Sequence, residues 1–263
     1  MRVLLTNDDG IHAEGLRELC RTLERNLDIE VTVVAPDRER SATGHAITVH
    51  KPLHVDQIKV PDCHAQAYAI NGTPADCTKL AVEALLPAPP DIIISGINRG
   101  PNLGTDVFYS GTVSAAIEGA LLGVPSIAIS LAEFDNPDFR VAARFASQLL
   151  VFVHREGIPP HTLLNVNVPA LELPHIAGVA VTKLGVRRWK NVFDRRHDPR
   201  GKVYYWLAGE AMDMDAEPGS DVTALKNNLI SITPIHIDLT NHELRSQVMV
   251  WEEHLTAFLE GGY

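Results

Sequence analysis

Two adjacent aspartates, Asp8 and Asp9, follow a short apolar run near the start of the chain, and Gly10 comes directly after them. Neighbouring carboxylates repel each other, and each costs free energy when it is taken out of water. A hard divalent cation relieves both penalties, and carboxylate oxygens suit Mg²⁺, Mn²⁺ or Ca²⁺. The alternative is that one aspartate caps the next helix while the other faces water. The pair alone leaves both interpretations open.

The loop after the second apolar run, APDRERSATGH, concentrates hydroxyl groups, basic groups and a glycine. The hydroxyls of Ser41 and Thr43 can donate to phosphate oxygens, and a serine hydroxyl can also bind a hard cation. Thr43 and Gly44 are therefore candidate substrate contacts, and Ser41 is a candidate metal ligand. Either Arg38 or Arg40 can pair with a phosphate through two hydrogen bonds. An ordinary polar surface loop is the alternative.

A third polar segment, SGINRGPNLG, follows a strongly apolar run and combines three glycines with two asparagines. Such a loop brings backbone and amide groups close to a ligand. Asn98 offers a neutral oxygen to a hard cation, and Asn102 is a candidate substrate contact. Ser110, Gly111 and Thr112 begin the next predicted helix, where hydroxyls and backbone N–H groups suit a phosphate. The segment lacks the Gly-Lys-Ser/Thr of a Walker loop, and no GxGxxG follows the first strand.

Three other patterns carry less information. Thr73 and Pro74 are typical of a helix N-cap and first turn, with anion binding as the alternative. His12 and His45 lie close in sequence to the acidic and hydroxyl motifs, but exposed or structural histidines are commoner than proton donors. HExxH and GxSxG are both absent, which argues against a zincin and against a serine hydrolase with a nucleophile elbow.

Strands alternate with helices over about 170 residues, which indicates a doubly wound, Rossmann-like α/β fold with a mostly parallel sheet. The predicted strands cover residues 2–6, 30–35, 91–95, 126–130 and 162–168, and the predicted helices cover residues 13–26, 73–86, 110–122 and 139–154. In such sheets, ligands bind beyond the carboxyl ends of the strands. That rule selects the loops that begin at Asn7, Pro36, Gly96 and Ser130.

The character of the sequence changes after Pro169. Residues 187–202 are basic and aromatic, residues 203–207 predict a strand, and residues 210–221 are acidic. We predict an α/β catalytic core over 1–183, a projecting hairpin arm over 184–228, and a returning strand with a C-terminal helix over 229–263. Solvated strands of opposite charge are the simpler explanation of the arm. Exchange between subunits is the alternative, because apolar surface without a local core favours a partner.

Composition limits the kinds of molecule that the protein is expected to bind and the compartment in which it is expected to lie. The net charge of −10 over 263 residues argues against binding to a nucleic acid polymer. The sequence contains no apolar window of about 18 residues, and the N-terminus lacks a signal-peptide pattern, so we expect no membrane association. Cys20, Cys63 and Cys77 are odd in number and lack a CxxC pair. We therefore expect no disulfide framework, three small buried or half-buried fillers, and a cytoplasmic location.

These motifs together resemble the SurE (survival protein E) family of nucleotidases. The resemblance is dense over roughly residues 1–130, where four long motifs occur in the family's order: LLTNDDGIHAEG, APDRERSATGHAIT, NGTPADC and SGINRGPNLGTDVFYSGTVSAAIEG. LNVNVP, GSDVTAL and ISITPIHIDLT look like its later landmarks. The match is weakest over 184–228.

The resemblance implies a 5′-nucleotidase that converts nucleoside monophosphates to nucleoside and phosphate. Members often accept 3′-nucleotides, and some cleave short polyphosphate. One divalent ion per subunit, Mg²⁺ or Mn²⁺, would be held by Asp8, Asp9, Ser41 and Asn98. Substrate contacts would fall near Asn102, Ser110, Gly111 and Thr112. The family also implies homodimers or homotetramers that exchange a C-terminal arm.

We expect metal-assisted attack of water on a phosphomonoester, with Asp8 or Asp9 orienting or deprotonating the water. The sequence does not distinguish between the two, and an aspartyl-phosphate on Asp8 is a less favoured variant. A glycosyl- or nucleotidyl-transferase that uses the same cleft is the competing enzyme class. A nucleotide-binding module without turnover is the alternative that is not an enzyme.

Overall fold

A nine-stranded sheet forms the centre of the computed structural model, which describes residues 1–25, 28–190, 192–213 and 217–259. Across the sheet the strands are β3 (Val55–Ile58), β4 (Gln66–Ile70), β2 (Glu30–Pro36), β1 (Arg2–Thr6), β5 (Ile92–Arg99), β6 (Ser126–Ala132), β7 (Thr162–Pro169), β13 (Leu229–His236) and β8 (Gly178–Val181). The six strands from β4 to β7 run parallel. β3 and β13 pair antiparallel with β4 and β7. The predicted mostly parallel α/β sheet is confirmed.

Helices cover both faces of the sheet. On one face α1 (Glu14–Leu23) packs against α4 (Arg140–Glu156), and on the other α2 (Pro74–Leu80) packs against α3 (Gly111–Leu121). Successive residues of β1 enter different apolar clusters, Val3 and Leu5 on one face and Leu4 on the other. This alternation follows from the two-residue period of a strand, and it explains why β1 reads as an unbroken apolar run.

Small side chains let α3 lie close to the sheet. Ala115, Ala116 and Ala120 are buried, and a Cβ added to Gly119 would lie 2.3 Å from the Ser126 hydroxyl on β6. This close packing fixes the N-terminus of α3 relative to the ends of β5 and β6. The sequence predicted this helix over 110–122, within one residue of its observed ends.

Beyond β8 the chain forms the predicted hairpin. β9 (Arg187–Lys190) pairs with β12 (Glu210–Asp213), and β10 (Phe193–His197) pairs with β11 (Val203–Leu207), both antiparallel. Residues 191 and 214–216, which belong to the predicted arm, lie outside the described residues. Within the same segment α5 (Asp221–Lys226) contacts β13 and β7 of the central sheet. The division of the chain into three domains stays a prediction.

The C-terminal helix is interrupted. α6 (His242–Val248) is followed by a 3₁₀ turn, Met249–Trp251, and then by α7 (Glu252–Leu259), whereas the sequence predicted a single C-terminal helix in this segment. Every residue from 238 to 259 is exposed. Residues 260–263 lie outside the described residues, as do residues 26 and 27 at the end of the helix predicted over 13–26. None of the helices in the described part of the chain combines the length and apolar character needed to cross a membrane.

The cysteine prediction was wrong in one respect. Cys20 on α1 and Cys63, in the turn between β3 and β4, form a disulfide across a sequence separation of 43. Cys77 is free and buried, as predicted for a filler. The error arose because an odd count and the absence of CxxC say nothing about pairs that only the fold brings together. The reducing, cytoplasmic compartment inferred from unpaired cysteines loses that support.

Candidate metal and phosphate site

Asp8 and Asp9 lie in a tight turn at the carboxyl end of β1. The side chain of Asn7 closes the turn: its Nδ2 donates to Gly10 O at 2.9 Å, and its Oδ1 accepts from Gly10 N at 3.2 Å. Gly10 has a φ of +97°, and a Cβ there would lie 2.9 Å from the backbone carbon of Arg38. Glycine is therefore required, because the loop after β2 passes directly over this turn.

Asp8 lies against the first turn of α3. The Thr112 hydroxyl donates to Asp8 Oδ1 at 2.5 Å. A Cβ added to Gly111 would lie 2.7 Å from Asp8 Cβ, so no larger residue fits there without movement. Ser110 is the N-cap, and its hydroxyl oxygen accepts from Val113 N at 3.1 Å. The first N–H groups of a helix lack intrahelical acceptors, so the start of α3 beside Asp8 suits an anion.

Asp9 faces the end of β5. Its Oδ2 accepts from the backbone N–H of Arg99 at 3.2 Å. The neighbouring Asn98 donates through Nδ2 to Gly100 O at 2.8 Å, which fixes the orientation of the amide. The amide oxygen of Asn98 is thereby left as the atom of that group able to bind a cation. The bond between Asp9 and Arg99 therefore brings Asp9 close to Asn98, the residue before Arg99, so two of the predicted metal ligands are neighbours.

The loop after β2 approaches Asp8 from the other side. Arg40 N donates to Asp8 O at 2.7 Å, and the next residue, Ser41, donates from its hydroxyl to Glu39 at 2.9 Å. The guanidinium of Arg40 contacts Asp37 and the carbonyl of Asn71, both at 3.2 Å, so this side chain holds the loop. The predicted ligands therefore come from the ends of β1, β2 and β5, which are neighbours in the sheet.

Thr43 and Gly44 continue this loop past the approach to α3. The Thr43 hydroxyl donates to Arg40 O at 3.1 Å, and Gly44 N donates to Tyr109 O at 3.2 Å. Tyr109 directly precedes the N-cap residue Ser110. The loop thus lies beside the proposed phosphate cradle, and a direct contact of Thr43 or Gly44 with the substrate stays a prediction.

Asn102 differs from the other candidate substrate contacts because its side chain points to the sheet. Its amide donates to the Ser130 hydroxyl at 2.8 Å, and its backbone N–H donates to Asn167 Oδ1 at 2.8 Å. The carbonyl of Asn102 accepts from Asn165 and Asn167. These bonds hold the loop after β5 in place. A direct contact of Asn102 with phosphate stays a prediction.

Sequence reasoning missed the supporting asparagines on β7. Asn165 and Asn167 are fully buried, and Asn165 Oδ1 lacks a hydrogen-bond partner among the described residues. The signal was present in LNVNVP, where two amides interrupt a strand that is otherwise apolar and buried on both faces.

The prediction of a helix N-cap at Thr73, in contrast, is confirmed at the start of α2. Thr73 and Asp76 form a reciprocal capping box there, with Pro74 in the first turn.

The electrostatics of the acid pair favour a cation. The pKa of Asp8 is raised to about 6: burial is the main cause, the hydrogen bond from Thr112 opposes the rise, and the neighbouring charge of Asp9 adds to it. Burial also raises the pKa of Asp9, and Glu39 adds to this while Arg99 lowers it. Carboxylates that are costly to ionise, placed beside neutral oxygen donors, are the ligands that a hard divalent ion prefers. The residues present fit such an ion.

Comparison with known proteins yields consistent matches. The family model described as Survival protein SurE matches residues 3–191. The 5′-nucleotidase SurE of Heliobacterium modesticaldum is 57% identical over 251 residues, covering 95% of this chain and 92% of the relative. The 5′-nucleotidase SurE of Carboxydothermus hydrogenoformans is 50% identical over the full length of both chains. The crystal structure of the SurE protein from Aquifex aeolicus superposes with a TM-score of 0.83 at 42% identity, covering 96% of this chain and 100% of that one.

Proposed function

Because the chain belongs to the SurE family, we propose that it is a divalent-metal-dependent 5′-nucleotidase, which hydrolyses nucleoside 5′-monophosphates to nucleoside and phosphate. The observation that carries the proposal is the contact between the acid pair and the start of α3. Asp8 accepts the Thr112 hydroxyl at 2.5 Å, so a cation held by Asp8 and an anion held by the helix N-terminus would be neighbours. Hydrolysis of a phosphomonoester requires this combination, a bound cation and a binding site for the phosphate side by side.

We infer that one Mg²⁺ or Mn²⁺ ion is held by Asp8, Asp9, Ser41 and Asn98. The two carboxylates, a hydroxyl and an amide oxygen form an all-oxygen donor set, which these ions prefer. When bound, such an ion polarises a phosphoryl oxygen and lowers the pKa of a bound water. The raised pKa values of both aspartates support this assignment, because a cation restores the charged form that burial disfavours.

The protein's own groups orient the substrate. The backbone N–H groups of Gly111 and Thr112 bind phosphoryl oxygens, and the Ser110 hydroxyl adds a donor while its oxygen caps the helix. Asp8 is 4% exposed and fixed by Thr112, whereas Asp9 is less buried. We therefore assign Asp9 the role of orienting the attacking water and taking its proton. The new O–P bond forms as the P–O5′ bond breaks, and the departing nucleoside oxygen takes up a proton.

The wider substrate range is part of the same proposal. Nucleoside 3′-monophosphates and short polyphosphate present the same terminal phosphate dianion to the start of α3. The cradle is formed by backbone N–H groups and small side chains, and these recognise the phosphate and not the leaving group. Activity on these substrates is therefore expected beside the activity on 5′-nucleotides.

The test is a phosphate-release assay on AMP, other 5′- and 3′-nucleotides and short polyphosphate, across a panel of divalent metals. We expect release of phosphate without any acceptor, loss of release in EDTA, and recovery with Mn²⁺ or Mg²⁺. Asp8→Asn and Asp9→Asn should each reduce kcat/KM at least 10²-fold, on the order of the loss of one key electrostatic group. The matched control is Asp138→Asn, which changes an exposed aspartate paired with Arg140 and should have no effect.

Three outcomes would contradict this proposal. A transferase would release phosphate or pyrophosphate only when an acceptor is supplied. A binding module would retain AMP without turnover in every metal. Full activity of Asp8→Asn in the absence of metal would remove the proposed metal centre.

We also propose that the protein forms a homodimer or homotetramer. The observation that favours it is the exposed apolar surface at the C-terminus, where Leu239, Val250 and Leu259 are each more than two thirds exposed. The hairpin arm adds exposed aromatic residues, including Tyr205 and Trp206. Large exposed apolar patches mark surfaces that contact another molecule, and most soluble oligomers are built from copies of one chain.

A further inference from the structure

Glu118 is a buried carboxylate that the proposed mechanism does not use. It lies on α3 with its side chain 6% exposed, and it bonds to two other parts of the chain. His45 Nε2 lies 2.8 Å from Glu118 Oε2, and Lys79 Nζ on α2 lies 3.3 Å from Glu118 Oε1. Lys79 also contacts Glu83 at 3.1 Å on the surface of α2. A buried carboxylate with two cationic or hydrogen-bonding partners is a strong local anchor.

The anchor lies close to the proposed site along α3. Gly111 and Glu118 are seven positions apart, so they lie on one face of the helix, two turns and about 10 Å from each other. Gly111 contacts Asp8, and Glu118 contacts His45. The chain from Ser41 to His45, which we name the strap, therefore runs beside α3 from the proposed phosphate cradle to this anchor.

Within the strap, few other bonds reach the rest of the protein, and one of them is from Gly44 N to Tyr109 O. On either side of it, Arg40 N donates to Asp8 O, and Ala46 O accepts from the Thr73 hydroxyl at 2.7 Å. Ala42 and Gly44 have φ values of +55° and +57°, in the left-handed region. For alanine this conformation costs about 1 kcal/mol, so the strap needs an anchor to keep its shape.

We propose that His45 is a positioning residue, whose bond to Glu118 holds Ser41, Thr43 and Gly44 over the metal and phosphate site. The inference rests on the proposed function, because it takes Ser41 as a metal ligand and Thr43 as a substrate contact. The hydrogen bond from His45 is also the main reason that the pKa of Glu118 is lowered, which agrees with a strong contact. Lys79 stabilises Glu118 from α2 without touching the strap.

Releasing the strap is expected to weaken the binding of both the metal ion and the nucleotide. A ligand that binds only the ordered strap loses apparent affinity in proportion to the fraction of molecules in which the strap is disordered. His45→Ala should therefore raise the Kd for Mn²⁺, and the KM for AMP measured with Mn²⁺ well below saturation, by a similar factor. We expect about ten-fold, which matches the loss of one hydrogen bond to a charged group. The value of kcat at saturating metal and substrate should stay within about two-fold, because the ligands order the strap.

Two variants separate positioning from a general loss of stability. The amide of His45→Gln can donate to Glu118 from nearly the same place as Nε2, so it should restore most of the affinity. Lys79→Met removes the other partner of Glu118 and leaves the strap anchored, so KM and the Kd for Mn²⁺ should remain close to those of the wild type. Titration of MnCl₂ into the metal-free protein gives the Kd without any turnover.

Amide hydrogen exchange of the metal-free protein tests the strap independently of activity. Residues 41–45 should exchange faster in His45→Ala and return to the wild-type rate in His45→Gln. If the wild type neither binds Mn²⁺ nor releases phosphate, the proposed function fails while the exchange result still decides the role of His45. Unchanged exchange in His45→Ala would overturn the inference. A fall in kcat with KM and the Kd for Mn²⁺ unchanged would also overturn it, because His45 would then act on the reacting atoms.

Discussion

At the residue scale, Asp8 shows how a proposed metal site conflicts with stability. The side chain is 4% exposed and adjacent to a second carboxylate, and its hydrogen bond from Thr112 compensates only in part. A sequence selected only for folding would not place two acids there, because each buried charge is costly. We interpret this cost as the consequence of keeping ligands in place for a cation.

The cost should be measurable in the metal-free protein. The pKa of Asp8 rises from 3.8 to about 6 on folding, so the folded state binds the proton more tightly than the unfolded chain does. The contribution of Asp8 to the free energy of unfolding is therefore largest below pH 4, and it is lost as the pH rises through 6. The loss amounts to about 3 kcal/mol for a difference of that size. Asp8→Asn, which does not titrate, should be more stable than the wild type at pH 8 in EDTA by ~1–3 kcal/mol.

Chemical denaturation between pH 4 and pH 8 provides the measurement. The difference between Asp8→Asn and the wild type should shrink toward pH 4 and should reverse at pH 8 once Mn²⁺ is added, because only the wild type gains from the ion. Asp138→Asn is the control, since the pKa of Asp138 is lowered by Arg140 and its removal cannot stabilise the protein at high pH. A difference for Asp8→Asn that is independent of pH would contradict the assigned cause.

At the element scale, the sequence predicted the strands and helices of the core but not the contacts between them. β1, β5 and α3 could be predicted because apolar runs and small-residue helices are local patterns. The rule that ligands bind at strand ends then selected four loops, and residues of three of them meet around Asp8 and Asp9. The contact between His45 and Glu118 spans 73 positions, and that between Thr112 and Asp8 spans 104. No local pattern encodes such pairs, so the direction of Asn102 and the role of Glu118 required the fold.

Asp221 joins two elements in a way the sequence did not indicate. It is fully buried at the start of α5, and its two carboxylate oxygens accept from the backbone N–H groups of Gly104, Gly185 and Val222, each at 2.8 Å. Gly104 begins the short turn that leads to Ser110, and Gly185 lies just before β9, at the start of the hairpin arm. Asp221 therefore links the root of the arm to the loop that carries the proposed phosphate cradle.

Replacing one oxygen of Asp221 should break this link. In Asp221→Asn an NH₂ group takes the place of one oxygen. If it replaces Oδ2, it faces the N–H of Gly104, and two buried donors then meet without an acceptor. We expect a loss of ~1–3 kcal/mol in the free energy of unfolding. Asp198→Asn is the matched control: the Arg200 and Lys202 N–H groups both donate to one oxygen, Oδ1, which asparagine retains. Denaturant titration checks both variants, and equal losses would show that the link does not depend on the second oxygen.

At the scale of the whole molecule, the disulfide closes a chain segment that forms one side of the proposed site. The segment between Cys20 and Cys63 contains β2 and the strap, so the bond restricts a part of the unfolded chain that must fold around Asp8. The chain-entropy model gives a stabilisation of ~4 kcal/mol for a closed loop of this length. Composition could not show this, because the bond depends on the packing of α1 against the turn at Cys63.

We predict that the purified protein, denatured without reductant, exposes one titratable thiol, and that reduction raises the number to three. Cys20→Ser should lower the free energy of unfolding by ~3–4 kcal/mol and make it insensitive to reductant. Cys77→Ala should retain the sensitivity to reductant, since Cys77 takes no part in the bond. Three thiols before reduction would show that the cysteines are unpaired, and they would return support to a reducing compartment.

The C-terminal helices provide the last whole-molecule prediction, which concerns assembly. α6 and α7 leave between them a groove of about 580 Å³, lined in part by Leu244, Val248 and Leu255, and all their residues are exposed in the single chain. Because these side chains are not part of the buried core, replacing all three by glutamine should not unfold the monomer. We expect the wild type to show the mass of a dimer or tetramer by light scattering, and the triple variant to show a smaller, concentration-dependent mass. Trp206→Gln changes an exposed residue of the hairpin arm, and comparing its mass with that of the triple variant shows which of the two surfaces forms the interface. Dissociation by this variant alone would place the interface in the arm, and a monomeric wild type would exclude the assembly.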